Sequence, residues 1–177
     1  FRSESPLGTT HVEFINDVVV ASELEGDVTA FDATSGLQMA RFPAPPTLAK
    51  TQVAFSRERL ALFASYDNGV LYWQMQFDPY PGNGGSITLQ EPAMIDALAI
   101  SADGSLIATG DDAGRIQVWD GYDLKSLATI DAHAGNVAAL VFSGNGQHLI
   151  SAGEDGRAVA WNLLTRQPEM QFSAVSG

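Results

Sequence analysis

The chain has no cysteine, few basic residues, no long apolar run and almost no helical periodicity, and each lack removes a class of protein. Without cysteine there can be no disulfide framework and no thiolate metal site. Nine Lys and Arg stand against 21 Asp and Glu, a formal charge of −12. Such a surface repels a phosphate backbone, so nucleic acid is not an expected partner. No apolar stretch reaches the ~18 residues that a membrane-spanning helix needs, so no membrane segment is expected. No segment keeps apolar residues at i, i+3, i+4 and i+7 over three turns, which argues against an α-helical fold. The three histidines, His11, His133 and His148, are not paired at metal-ligand spacing, and three or four convergent ligands cannot be assembled for zinc. Neither a metal nor a cofactor is expected. Absence of cysteine leans, weakly, towards a bacterial protein with an extracytoplasmic setting.

Glycine is plentiful at 17 residues, as a chain of tight turns requires. The segment from His133 to Asn162 shows how they are used: HAGNVAALVFSGNGQHLISAGEDGRAVAWN. An alternating apolar run meets an Asn-Gly turn, a second run meets an Asp-Gly turn, and a third run ends in Trp161. Asn-Gly and Asp-Gly accept positive φ at little strain, so the segment reads as three antiparallel strands joined by hairpins. Ile95 to Asp120, IDALAISADGSLIATGDDAGRIQVWD, repeats it. The glycines that open each third strand, Gly26, Gly69, Gly114 and Gly156, recur at intervals of 43, 45 and 42 residues. Three of these strands close on an aromatic and a polar residue at the same offset: Phe31-Asp32, Trp119-Asp120 and Trp161-Asn162.

With these residues the chain resembles the WD40-repeat family of β-propellers, over nearly its whole length; the last two repeats match clearly and the first two are degenerate. The resemblance implies an all-β fold of about four four-stranded antiparallel blades, at about 11–42, 51–89, 93–130 and 133–172. Residues 1–177 would form one propeller domain or part of a larger propeller. Closure could come from a compact four-blade ring, from a second copy as a homodimer, or from further blades of a longer chain. The resemblance also implies a buried hydrogen-bond tetrad in the last repeat, His133, Ser151, Asp155 and Trp161, acting as a structural staple. In the third repeat the His and Asp positions fall on Glu91 and Ala113, with Asp112 one residue out. The second repeat has Pro46, Ala64, Asn68 and Gln74 there, with Trp73 one place early, so Trp73 is expected to pack differently. The first has Ala21 and Phe31. Three repeats are thus expected to lack the polar staple. Asp78–Gly85 (DPYPGNGG) reads as an irregular insertion too rich in Pro and Gly for a central strand.

Chemical motifs fail one by one. Ser56, Ser101 and Ser143 each end a first strand before a turn, with no Gly-x-Ser-x-Gly elbow around them. Gly144-Asn-Gly146 is followed by a strand and offers no helix N-terminus to a phosphate. Asp111-Asp112 and Glu154-Asp155 recur at one structural position, which argues for architecture, and EF-hand spacing is missing. The chain reads as a non-catalytic interaction scaffold for an unidentified protein partner. The candidate contact residues, on loops at one end of the blades, are Tyr66, Met94, Asp111, Asn136 and Glu154. The alternative is a soluble extracytoplasmic insert of a bacterial membrane protein, such as a phosphate-type ABC transporter permease.

Overall fold

The computed structural model describes residues 9–15, 18–23, 27–42, 52–56, 61–66, 69–74, 84–88 and 93–173. Their regular structure is all strand. The strands are β1 (Thr9–Ile15), β2 (Val18–Glu23), β3 (Val28–Asp32), β4 (Gln38–Phe42), β5 (Val53–Ser56), β6 (Ala61–Tyr66), β7 (Gly69–Gln74) and β8 (Gly84–Thr88). Then follow β9 (Ile95–Ile100), β10 (Leu106–Asp111), β11 (Arg115–Asp120), β12 (Ser126–Asp131), β13 (Val137–Phe142), β14 (His148–Gly153), β15 (Arg157–Asn162) and β16 (Gln167–Ser173). They form four sheets of four strands, each keeping chain order: β1–β4, β5–β8, β9–β12 and β13–β16. In the last two sheets short hairpin turns impose that order, because each strand can only reach the edge just laid down. Among the described residues no helix is long and apolar enough to cross a membrane.

Contacts group the chain into two compact units, Phe1–Phe55 with Leu60–Thr88, and Ser56–Arg59 with Leu89–Gly177. In the first unit, β2 buries Val19, Val20 and Ala21, and β3 buries Val28, Thr29 and Ala30. Consecutive residues buried on opposite faces mark these as central strands. On β6 the buried residues alternate as Ala61, Phe63 and Ser65. The expected irregular insertion is shorter than Asp78–Gly85: Gly84 and Gly85 open β8 and pair with Trp73 and Tyr72. An edge strand needs backbone pairing on one side only, so glycine is tolerated there. Trp73 is opposite Leu62, as Trp119 is opposite Ile107 and Trp161 opposite Leu149. One residue fewer separates that pair than the other two, so the early position of Trp73 reflects a shorter hairpin. Its side chain, like Glu91, Pro46, Asn68 and the side chains of Ala64 and Gln74, lies outside the described residues.

In the second unit the core joins sheet β9–β12 to sheet β13–β16. Ala97, Ala108, Ile116, Val118 and Ile130 from the first sheet cluster with Val137, Leu149, Val159 and Trp161 from the second. Gly110 on β10 sets the approach. A Cβ there would stand 2.5 Å from Cγ1 and 2.6 Å from Cβ of Val137, so only glycine lets β13 come this close. Arg166, in the turn after β15, donates to the Leu127 carbonyl on β12 at 3.0 Å and ties the same two sheets at their outer edges.

Candidate functional site

The last sheet assembles its staple around His133. The backbone N–H groups of Ala132 and His133 both donate to the Gly114 carbonyl, at 3.0 Å each, which fixes the ring just ahead of β13. His133 Nε2 is 2.8 Å from Ser151 Oγ, and Nδ1 is 3.0 Å from Asp155 Oδ1. The Trp161 indole N–H donates to Ser151 Oγ at 2.9 Å. The strand register makes this possible: Leu149 opposes Trp161 and Ser151 opposes Val159, so Ser151 and Trp161 share a face two positions apart. Gly153 closes the pocket from the next strand position. A Cβ there would lie 2.5 Å from both Cγ and Nδ1 of His133, so the ring packs on bare backbone.

Asp155 is the anchor of the network. Burial pushes its carboxyl up, but the backbone N–H groups of Ala134 and Arg157 and the His133 ring stabilise the anion and hold it below the ordinary aspartate range. The sequence Asp155–His133–Ser151 has the connectivity of a hydrolytic triad. It lacks the nucleophile's freedom. Ser151 is 0% exposed, and its Oγ is already met by both the imidazole and the indole. No substrate carbonyl can reach it without dismantling the sheet. The chemistry left to the four residues is mutual satisfaction of buried polar groups, each of which would cost about 1–3 kcal/mol unpaired.

The third sheet corrects the expectation that it has no staple. Trp119 Nε1 donates to Thr109 Oγ1 at 3.1 Å, the counterpart of the Trp161–Ser151 bond. Asp111 occupies the turn in place of the missing carboxylate at Ala113. Its Oδ1 accepts the Ala113 and Arg115 N–H groups at 3.0 and 2.8 Å, and its Oδ2 receives Arg115 Nε at 3.0 Å. The signal was present in the sequence, since Thr109 precedes Trp119 by the same interval as Ser151 precedes Trp161. A second feature gives the polar partner of each aromatic its purpose. Asp32, Asp120 and Asn162 each turn an Oδ1 onto two backbone N–H groups of the following turn. These are Thr34 and Ser35, Tyr122 and Asp123, and Leu164 and Thr165, at 2.6 to 3.1 Å. The serines that end first strands act likewise: Ser101 Oγ bonds Asp103 and the Leu106 N–H, and Ser143 Oγ bonds Asn145 and the His148 N–H.

The candidate contact residues divide. Met94 is 38% exposed, and Glu154 is exposed beside it in kind: Glu154 N–H donates to the Asn136 carbonyl as Asp112 N–H donates to that of Met94. Loop and turn therefore meet at the same end in both sheets. Asn136 is half-buried, with a buried Oδ1 that has no hydrogen-bond partner. Asp111 departs from the expected surface role. It is 3% exposed and its carboxylate is consumed by its own turn and Arg115. The side chain of Tyr66 lies outside the described residues. His148 is half-buried, with Nε2 2.9 Å from Glu169 Oε2. Among the described residues no group of three or more His, Asp or Glu is placed to hold a metal.

Sequential four-stranded sheets, a near-constant repeat interval and an indole–hydroxyl–imidazole staple define propeller blades of the WD type. Comparison with known proteins agrees. The family model described as "WD domain, G-beta repeat" matches residues 86–120 and 124–162, so these two segments are WD40 repeats. It is 28% identical to "Protein ROOT INITIATION DEFECTIVE 3" of Arabidopsis thaliana over 83% of this chain and 33% of that protein. It is 31% identical to "F-box-like/WD repeat-containing protein TBL1X" of Mus musculus over 44% of this chain and 15% of that protein. A solved chain from the "Crystal Structure of Mitotic Checkpoint Complex" superposes with a TM-score of 0.81 over 95% of this chain and 52% of that one, at 17% identity. The fold is thus that of a WD40 propeller, and the chain spans about a third to half of the proteins that it resembles along most of its length.

Proposed function

We propose that the chain is a non-catalytic protein-interaction module, a rigid set of blades that presents loops to a protein partner. The observation that carries this reading is the sealed state of Ser151. The one Ser-His-Asp arrangement among the described residues is spent on holding β14 to β15 and to the loop before β13. The fold likeness to a chain solved in a protein complex supports the same reading. The contact surface lies at the end of the last two sheets where Met94 meets the exposed Asp112 turn in one sheet and Asn136 meets the exposed Glu154 turn in the other, an apolar anchor next to acid. That pairing suits a partner with a basic residue beside an apolar one. No observation favours the alternative of an insert in a bacterial transporter.

The test is affinity capture with Met94→Glu and Glu154→Lys set beside the unmodified chain. The surface variants are expected to keep the melting temperature and lose the same captured proteins. Capture unchanged in both variants would refute this surface. A hydrolase activity that Ser151→Ala abolishes in a chain still folded would refute the non-catalytic reading.

A further inference from the structure

The third strand opens on an arginine in both of the last two sheets, and only one of the two arginines has an acid. Arg115 opens β11 four residues before Trp119, and Arg157 opens β15 four residues before Trp161. Arg115 Nε is 3.0 Å from Oδ2 of Asp111, the last residue of β10. Gly153 holds the corresponding place at the end of β14. A carboxylate cannot stand there, because the His133 ring occupies the space that even a Cβ would need. Asp155 is spent on the His133 ring and on the backbone N–H groups of Ala134 and Arg157. The Arg157 guanidinium is left with the neutral Gln171 Oε1, to which Nη2 donates, and its buried Nε has no partner. The chain does not lack acids, since 21 stand against nine Lys and Arg. Arg41, Arg115 and Lys125 each hold an aspartate.

We propose that Arg157 receives an aspartate or glutamate side chain of the protein partner, and so completes between two chains the ion pair that Asp111 and Arg115 make within one. This rests on the reading of the chain as an interaction module. A partly covered guanidinium without a counter-ion is costly, so an arriving carboxylate gains more there than at a fully hydrated cation. Arg157 is half-buried and not sealed, so a side chain can reach it. Register fixes where it lies. Arg157, Val159 and Trp161 alternate onto the face of β15 that packs towards β9–β12, and Gln171 is opposite Val159 on that face. Arg157 also follows the turn of Glu154 directly, so it borders the end of the sheets assigned above to the partner. One partner segment would bring a base to the acidic turns and an acid to Arg157. In a chain of charge −12, a partner that is only acidic would be repelled. One that is only basic would leave Arg157 unpaired.

The test needs no partner. The Arg157 Nε–H resonance of the isotope-labelled chain, assigned by its loss in Arg157→Gln, is followed as N-acetylglutamate α-amide is added. N-acetylglutamine α-amide is the uncharged control. The acid should shift the resonance saturably with a half-point below about 100 mM, and the control should not. Gln171→Glu supplies a carboxylate from within the chain. It should weaken the response at least about fivefold and raise the melting temperature by about 1–3 °C. A resonance that the acid leaves unmoved to about 0.5 M overturns the proposal. So do equal shifts from the acid and the control, or an undiminished response in Gln171→Glu. Failure of this titration does not touch capture through the Met94 and Glu154 end. Loss of that surface likewise leaves the titration unchanged, so the two readings fail separately.

Discussion

Sheets β9–β12 and β13–β16 follow one plan in the same register, yet they stabilise their central hairpin in different ways. The last sheet uses a four-member relay that reaches outside the sheet to His133. The sheet before it keeps the indole-to-hydroxyl bond from Trp119 to Thr109 and hands the turn to Asp111, with Arg115 as its counter-ion. One arrangement ties the sheet to the loop before it; the other is local to one hairpin. The lesson is that the buried hydroxyl and the turn carboxylate can be supplied separately, by residues two positions apart. The imidazole is the part that couples them. Loss of coupling in β9–β12 predicts weaker dependence between its members than in β13–β16.

The largest effects fall on the indoles. Trp161→Ala should cost about 3–5 kcal/mol by cavity formation and loss of the Ser151 bond, and Trp119→Ala a similar amount. Urea unfolding checks both; a loss under about 1 kcal/mol at either would show that the ring is not core. The comparison sharpens with His133→Ala, which strands Ser151 and Asp155 together and should cost about 2–3 kcal/mol. In a double-mutant cycle, His133 and Trp161 should couple by more than about 0.5 kcal/mol, while Asp111 and Trp119 should be nearly additive. Equal coupling in the two sheets would erase the distinction.

Much of this plan was legible in the linear sequence because hairpin chemistry is local. The Gly-bearing turns, the alternating runs and the recurring aromatic–polar pair are set within a few residues, and in the last two repeats β9–β11 and β13–β15 lie on those runs. The His133 relay was accessible only through family likeness, since His133 and Asp155 are 22 residues apart and the members meet through register. What eluded the sequence depended on small offsets. Asp111 lies two positions ahead of Ala113, where a carboxylate was sought, so its role as a turn anchor was hidden and its burial was missed. Trp73 looked misplaced because one residue was lost from a hairpin, a change that spacing along the chain cannot distinguish from a change of packing.

Acid separates the two sheets by a smaller margin. The carboxyls of Asp155 and of Asp103, which accepts bonds from Ser101 and Ser105, are both held below the ordinary aspartate range. A carboxyl whose proton affinity falls on folding stabilises the fold at any pH above the unfolded value. That contribution is lost as the pH drops through the folded value. Stability should therefore fall on the acid side of the ordinary aspartate range. Asp103→Asn should flatten that fall without harm near neutrality, because the matching turn in the last sheet already uses Asn145 in the same role. Asp155→Asn should flatten it too, but at a loss near pH 7, since the amide cannot serve the His133 N–H and two backbone donors as a carboxylate does. Melting temperatures between pH 3 and 7 decide the matter; an Asp103→Asn curve parallel to that of the parent chain would refute it.

The smallest effect concerns the turn after each third strand. Gly36, Leu124 and Arg166 occupy equivalent places and share a left-handed backbone, with φ of 72°, 61° and 58°. For a residue with a Cβ this region is strained by about 1–2 kcal/mol, so the first sheet has the relaxed residue and the last two do not. Arg166 has a reason to stay, because its guanidinium reaches the Leu127 carbonyl on the neighbouring sheet. Leu124 is half-buried and its backbone N–H bonds the Asp120 carbonyl, an interaction that glycine keeps. Leu124→Gly should therefore raise stability by about 0.5 kcal/mol, the strain relief being partly offset by lost packing and by the greater freedom of glycine in the unfolded chain. Arg166→Gly should lower it, because the tie between β12 and the turn after β15 goes with the side chain. Opposite signs at two positions of the same backbone geometry would separate strain from contact; equal signs would show that the turn conformation alone sets both.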